Sequence, residues 1–146
     1  MKAPEAAFTF KHRVPVQIRF NDIDMLGHVN NAIYSEYLDM GKTRYFRGLM
    51  GDDGFDYNAI ALVIVHIDLD FYAPTFVEEN VEVVTAVTHI GDRSLSVEQR
   101  VINSDTGQVK CVSHTVLAGF DHKTQSSAPI TEEWRRRISE FEGRSL

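Results

Sequence analysis

The residues with the most chemistry in them lie close together, in the run Arg19-Phe20-Asn21-Asp22-Ile23-Asp24-Met25-Leu26-Gly27-His28-Val29-Asn30-Asn31. Two carboxylates, Asp22 and Asp24, and one imidazole, His28, fall between the end of an alternating segment and the start of a helical one. A helix start offers backbone N–H groups without intrahelical partners and roughly half a positive charge. That setting suits a reaction in which a carbonyl oxygen gains negative charge while a carboxylate attacks the carbon or activates a water. The same residue types also serve plain structure, because Asp22, Asp24 and Asn30 readily satisfy turn and cap hydrogen bonds. Spacing alone leaves both readings open.

Other chemistry lacks its usual signatures. There is no Gly-x-x-x-x-Gly-Lys phosphate loop, no Gly-x-Gly-x-x-Gly after a strand and no Gly-x-Ser-x-Gly elbow. The six histidines, at 12, 28, 66, 89, 114 and 122, are scattered, and none has zinc-ligand spacing with a cysteine. One metal-like arrangement is present, His66-x-Asp68-x-Asp70. It alternates with Val65, Ile67, Leu69 and Phe71, so it reads better as the outward polar face of a strand whose apolar face is buried. Cys111 sits inside a strand pattern and reads as a buried structural thiol. No metal or cofactor is expected.

These residues need a scaffold, and the patterning supplies one. Val14, Val16, Ile18 and Phe20 alternate with polar residues, predicting a half-buried strand that runs up to Asn21. The polar stretch to Val29, carrying Gly27, reads as a loop. From Asn30 the period changes: Tyr34, Tyr37, Leu38, Gly41, Tyr45 and Leu49 form one apolar stripe. With Asn30 as N-cap and Gly51 as stop, the helix is about 20 residues and about 30 Å long. Gly41 lies on that stripe at a propensity cost of about 1 kcal/mol, which predicts close approach to whatever the helix covers. After the acidic turn Gly51-Asp52-Asp53-Gly54, strands are predicted over 60–71, 81–90, 94–102 and 108–120, the last two joined by the turn Ser104-Asp105-Thr106-Gly107. A short helix starts at Thr131, with Glu132 and Glu133 in its first turn. The expected fold is α+β, one long helix on a five-stranded antiparallel sheet. A single helix cannot cover such a sheet, so an edge strand and part of a face are left for a partner chain, which predicts an oligomer.

Length and composition bound the rest. A chain of 146 residues, 43% hydrophobic and 25% charged, is one domain, with a core expected over about 13–121 and a helical tail over 131–142. The net charge of −6 argues against a general nucleic-acid binder. The longest apolar run, 59–65, is far short of a membrane span, and residues 1–10 do not resemble a secretion signal. One cysteine fits a reducing cytoplasm. Between Gly48 and Asp92 there are nine acidic residues and no Lys or Arg, so a polyanionic ligand must be gripped elsewhere.

The run Asp22-x-Asp24-x-x-Gly27-His28-Val29-Asn30-Asn31, followed by Tyr34, resembles the signature of the 4-hydroxybenzoyl-CoA thioesterase group of hotdog-fold acyl-CoA thioesterases. Tyr37-Leu38-Asp39, Asp70-Phe71-Tyr72-Ala73-Pro74 and Ile90-Gly91-Asp92-Arg93-Ser94 extend the resemblance over about residues 13–121. It implies a hotdog fold, with sheets running continuously through paired subunits of a homodimer or homotetramer and the acyl group between them. It implies that Asp24 is the catalytic carboxylate, as nucleophile or general base, and that the Asn31 N–H polarises the thioester carbonyl. His28 matches a motif variant that could orient Asp24 or the substrate; Tyr34 matches a place on the acyl pocket; Arg93 and Ser94 match contacts to CoA phosphates. Asp22 reads as structural. The chain departs from its relatives at Lys42, where many have arginine, and at Gly91 and Asp92, where some have basic residues. Those departures leave acyl carrier protein open beside CoA as the carrier, and a non-catalytic acyl-thioester binder is the alternative from another class.

Overall fold

The computed structural model describes residues 1–51 and 61–146; most of the acidic turn after Gly51, and Ile60 at the expected start of the second strand, lie outside the described residues. Within them the chain forms β1 (His12–Val16), a 3-10 turn (Phe20–Asp22), α1 (Ile33–Met50), β2 (Ala61–Phe71), β3 (Val81–Ile90), β4 (Ser94–Asn103), β5 (Val109–Asp121), β6 (Ser126–Ser127) and α2 (Glu132–Glu142). All pairings are antiparallel, in the order β1-β3-β4-β5-β2, with the two-residue β6 added to the end of β5. The α+β architecture expected from patterning is the one observed, with one short extra strand.

Two elements start or stop elsewhere than the patterning predicts. β1 ends at Val16 because its partner does: Val16 faces Val81, the first residue of β3, and beyond it no ladder is left to join. Ile18 remains packed on the core, but Phe20 turns outward and is 89% exposed. The regular helix begins at Ile33, three residues after Asn30, and Gly51 stops it with φ +63°.

α1 packs chiefly on β1, β3 and β4 through its predicted stripe. Tyr34, Tyr37 and Leu38 meet Val81, Val83, Val101 and Cys111, while Tyr45 meets Val87, Leu95, Val97 and Leu117 together with Ile138 of α2. Burial pushes the Cys111 thiol up to about 12, with Asp70 adding to the shift, as befits an inert core thiol. A polar stitch crosses this interface: Gln99 on β4 donates to the Leu38 carbonyl (2.9 Å) and to Thr85 Oγ1 (2.9 Å), and accepts from Lys42 Nζ (3.0 Å). Burial lowers the pKa of Lys42, and Asp39 at 3.3 Å works against that. α2 is capped by Thr131, whose hydroxyl accepts from Trp134 N (3.2 Å), and ends at Gly143 in the left-handed region.

β2 departs most from expectation. Val65 is 61% exposed, and Ile67 and Phe71 are each 38% exposed, so the face read as buried is only partly covered within one chain. β2 is the outer strand, its pairing with β5 is interrupted between Ile64 and His66, and α1 is centred on other strands. The opposite face of β2 carries His66 and Asp68, whose side chains pair with each other (3.5 Å); His114 on β5 bridges Asp68 (3.3 Å) and Glu98 on β4 (3.4 Å).

The close approach expected at Gly41 is present. A Cβ there would lie 2.5 Å from Val83 Cγ1 and 2.9 Å from Gln99 Nε2. Val83 is fully buried with a stiff branched side chain, and Gln99 is held by three hydrogen bonds. The clash outweighs the helix-propensity gain of about 1 kcal/mol. Gly41→Ala is therefore expected to destabilise the protein by about 1–3 kcal/mol in urea unfolding; an unchanged or raised midpoint would show that the helix can lift without cost.

Candidate active site

The loop between the 3-10 turn and α1 is built around Asp22. This carboxylate is 3% exposed, and Oδ2 accepts hydrogen bonds from the Arg19 amide (2.9 Å) and the Tyr37 hydroxyl (2.6 Å). Burial, then the Asp22 contact, raises the Tyr37 pKa far above its ordinary value, so the phenol stays a donor. Arg19 Nε lies 3.8 Å from Asp22 Oδ1, and the Asp22 carbonyl accepts from Asn30 N (2.9 Å). One residue thus ties the entry of the loop, its exit and the helix together.

Inside that frame the loop closes on itself. Ile23 and Val29 form a β-bridge, Asp24 N donates to the His28 carbonyl (3.1 Å), and Gly27 N donates to the Asp24 carbonyl (3.0 Å). Gly27 has φ +88°, a conformation that glycine adopts without steric penalty. Val29 is buried and its amide donates to the Thr75 carbonyl (2.8 Å), pinning the loop to residues 72–80. That second loop is held from below: Lys110 Nζ donates to the Pro74 carbonyl (2.9 Å) and Glu79 Oε1 (2.7 Å), and Glu79 Oε2 accepts from Phe76 N (2.8 Å).

Asp24 sits on the loop in a different state from Asp22. It is half-buried, Oδ1 accepts from Leu26 N (2.9 Å) and Oδ2 from Asn30 Nδ2 (3.3 Å). Among the described residues no cation lies within ion-pair distance of it. Asn31 is exposed in the turn that leads into α1, and among the described residues its N–H donates to no acceptor. The neighbouring amides are taken: Ala32 N donates to Asn30 Oδ1 (2.9 Å) and Ile33 N to the Asn30 carbonyl (2.9 Å). The N-cap expected at Asn30 falls instead at Ala32, which makes no side-chain cap bond; Asn30 closes the turn that leads into the helix. Beside the helix start an open groove of about 370 Å³ is lined by Arg19, Phe20, Asn21, Asp22, Ile33 and Glu36.

The other sequence-predicted residues divide into two groups. His28 Nδ1 lies 3.2 Å from the Val29 carbonyl, and its ring makes no hydrogen bond to Asp24. The side chain that does reach Asp24 is Asn30, a contact that sequence reading missed because a cap alone already accounted for the residue. Tyr34 is buried, its hydroxyl donates to Thr75 Oγ1 (2.8 Å), and its ring meets Phe71 edge-on at 5.2 Å. Nothing local marks Thr75, which is 41 residues away in the chain. Arg93 and Ser94 lie at the far end of the sheet. β4 runs ten residues from Ser94 to Asn103, roughly 30 Å at ~3.3 Å per residue, and its Asn103 end is the one beside Glu79 and the site. Arg93 Nη1 donates to Ser127 Oγ (3.2 Å), with Asp92 at 3.8 Å. One chain brings Asp24, His28, Asn31 and Tyr34 together and leaves Arg93 and Ser94 apart.

Comparison with known proteins gives this geometry a context. A family model described as the Thioesterase-like superfamily matches residues 18–138. The long-chain acyl-CoA thioesterase FadM of Escherichia coli is 24% identical over 129 residues, covering 86% of this chain and 96% of that protein. The acyl-CoA thioester hydrolase YbgC of Escherichia coli is 26% identical over 94 residues, 64% of this chain and 70% of that protein. Among solved structures, a thioesterase from Thermus thermophilus in complex with coenzyme A and Zn superposes with a TM-score of 0.82 at 31% identity, covering 94% of this chain and 98% of its own.

The support beneath the loop is pH-dependent. Burial pushes the Glu79 carboxyl up, but bonds from Lys110, Phe76 N and Asn103 outweigh it, and the net shift is downward. A carboxyl with a lowered folded pKa contributes stability above its unfolded pKa, about 4.3, and loses it as pH falls through the folded value. Thermal midpoints are expected to drop more steeply in the wild type than in Glu79→Gln between about pH 4.5 and pH 3. Parallel slopes would remove Glu79 from the account.

Proposed function

The chain belongs to the thioesterase-like superfamily, with a hotdog fold, and from that premise we propose that it hydrolyses an acyl-CoA thioester to the free acid and CoA. The observation that carries the reading is that, among the described residues, the Asp24 carboxylate has no ion-pair partner and the Asn31 amide at the head of α1 has no acceptor. In this reading the thioester oxygen accepts from the Asn31 N–H, which stabilises the negative charge that grows there. A preorganised donor of this kind contributes about 3–4 kcal/mol in the transition state. Asp24 either attacks the carbonyl carbon, giving a mixed anhydride that water cleaves, or takes a proton from the water that attacks. Both routes consume one water and release the acid and the thiol. A positioned base contributes about 10²–10⁴-fold in rate. His28 lies in the same loop and, in this reading, faces the substrate rather than Asp24.

The separation of Arg93 and Ser94 from Asp24 supports a composite site. If these two residues hold the CoA phosphates, they meet the substrate from a second copy of the chain. The unpaired edge of β2, with Val65, Ile67 and Phe71 part-exposed, supports the same assembly, a homodimer or homotetramer with the acyl group near Tyr34 and Phe71.

Thiol release measured over a panel of short, long and aromatic acyl-CoAs tests the reading. Asp24→Asn is expected to fold and to lose at least about 10²-fold in kcat, whereas full activity would refute the site. Arg93→Ala is expected to raise KM several-fold for acyl-CoA at constant kcat; an unchanged KM would place the nucleotide elsewhere. Binding of thioesters by the wild type with no hydrolysis of any of them would favour an acyl-thioester binder.

A further inference from the structure

We infer that Asn30 is the positioning residue of this site, its side-chain amide holding the Asp24 carboxylate at a set place relative to the head of α1. The inference rests on Asp24 as the reacting carboxylate and adds the device that aims it.

The four polar groups of Asn30 are all engaged. Its N–H donates to the Asp22 carbonyl, its carbonyl accepts from Ile33 N, Oδ1 accepts from Ala32 N at 2.9 Å, and Nδ2 donates to Asp24 Oδ2 at 3.3 Å. The orientation of the amide is dictated by its neighbours. A backbone N–H can only donate and an ionised carboxylate can only accept, so Oδ1 must face Ala32 and Nδ2 must face Asp24. A residue that merely closed the turn would need the Oδ1 contact alone.

The second donor to Asp24, Leu26 N, is two residues away in the same loop tip, where Met25 and Leu26 are 100% and 76% exposed. Among the described residues only Asn30 links the carboxylate to the turn that opens α1, and the next residue is Asn31. The distance from the carboxylate to the Asn31 amide is therefore set through one residue, and a misplacement of about 1 Å in such a pair costs on the order of 10²-fold in rate. The other ionisable groups of the region are occupied elsewhere: Asp22 with Tyr37 and Arg19, Glu36 with Arg19 (3.6 Å), and His28 with the Val29 carbonyl.

Asn30→Asp separates positioning from turn closure. Aspartate closes such a turn as asparagine does, but it replaces the donor facing Asp24 with a second negative oxygen. Thermal midpoint, kcat, KM and the pH profile of kcat are measured for the wild type, Asn30→Asp and Asn30→Ala on an acyl-CoA substrate. Asn30→Asp is expected to keep KM within about twofold while kcat falls about ten- to a hundredfold. Its midpoint drops at neutral pH but recovers toward the wild-type value as the pH is lowered and the repulsion between Asp24 and the introduced carboxylate is titrated away. The acidic limb of its profile moves to higher pH, because a like charge beside Asp24 opposes ionisation. Asn30→Ala loses the turn contact as well, and both its midpoint and its kcat fall. Wild-type kcat and an unmoved limb in Asn30→Asp would overturn the inference. Titration of the Asp24 carboxyl by carbon NMR in the wild type and Asn30→Asp needs no turnover: an upward move in the variant supports the contact and no move refutes it. If the wild type cleaves no thioester, the proposed reaction fails, and that titration decides the Asn30 contact by itself.

Discussion

The buried carboxylate of Asp22 is the interaction on which the site depends. Taking a charge out of water is expensive, and here the Arg19 amide, the Tyr37 hydroxyl and the edge of the Arg19 guanidinium offset the cost. Hydrogen bonds to a charged group are worth about 1.5–3 kcal/mol each, and leaving one unmade costs more than an ordinary lost contact. The chain therefore cannot shift the entry of the loop, its exit or Tyr37 independently. Because Tyr37 belongs to the buried stripe of α1, the loop inherits the rigidity of the helix and of the sheet beneath it.

That rigidity lets two aspartates, two positions apart, do different work. Asp22 is spent on structure: it is buried and its better oxygen is fully occupied. Asp24 follows Ile23, which bridges to Val29; it is half-buried, and among the described residues it has two hydrogen-bond donors. Below, the Val29 amide on the Thr75 carbonyl and the Lys110–Glu79 pair fasten the loop to the strands. A carboxylate held on such a platform can be reactive without being mobile.

The polar stitch at Gln99 has a parallel role in the core. α1 sits so close to the sheet at Gly41 that Val83 and Gln99 occupy the space of a side chain, and Gln99 then joins the helix backbone, Lys42 and Thr85. Apolar packing alone would leave the axial position of α1 loosely specified; directional bonds restrict it. The position of α1 sets the position of its N-terminal amides, so this interface and the loop serve one geometry. At the opposite margin β2 ends the strand order, and among the described residues its outer edge is unpaired and its apolar side chains are part-exposed.

The elements of the fold were largely legible in the residues because their signals are local. The stripe of α1, the strands after it, the Thr131 cap and the tight contact at Gly41 all follow from period and residue type. The run from Asp22 to Asn31 likewise marked the candidate site through its resemblance to a family signature, since carboxylates before a helix start are common caps and on their own leave the structural reading open. What local signals could not carry was decided by the tertiary structure. β1 stops at Val16 because β3 has no residue to pair beyond it; β2 is half-bare because its place in the strand order puts it at an edge. Asp22 and Asp24 have the same side chain, and only packing against Tyr37 separates the buried one from the displayed one. Thr75 reaches Val29 and Tyr34 across a gap that no periodicity encodes. Arg93 stands a strand's length from Asp24 because β4 runs away from the site. Local sequence determined which elements form; long-range packing decided what each side chain faces, because pairing order and burial are properties of the whole chain.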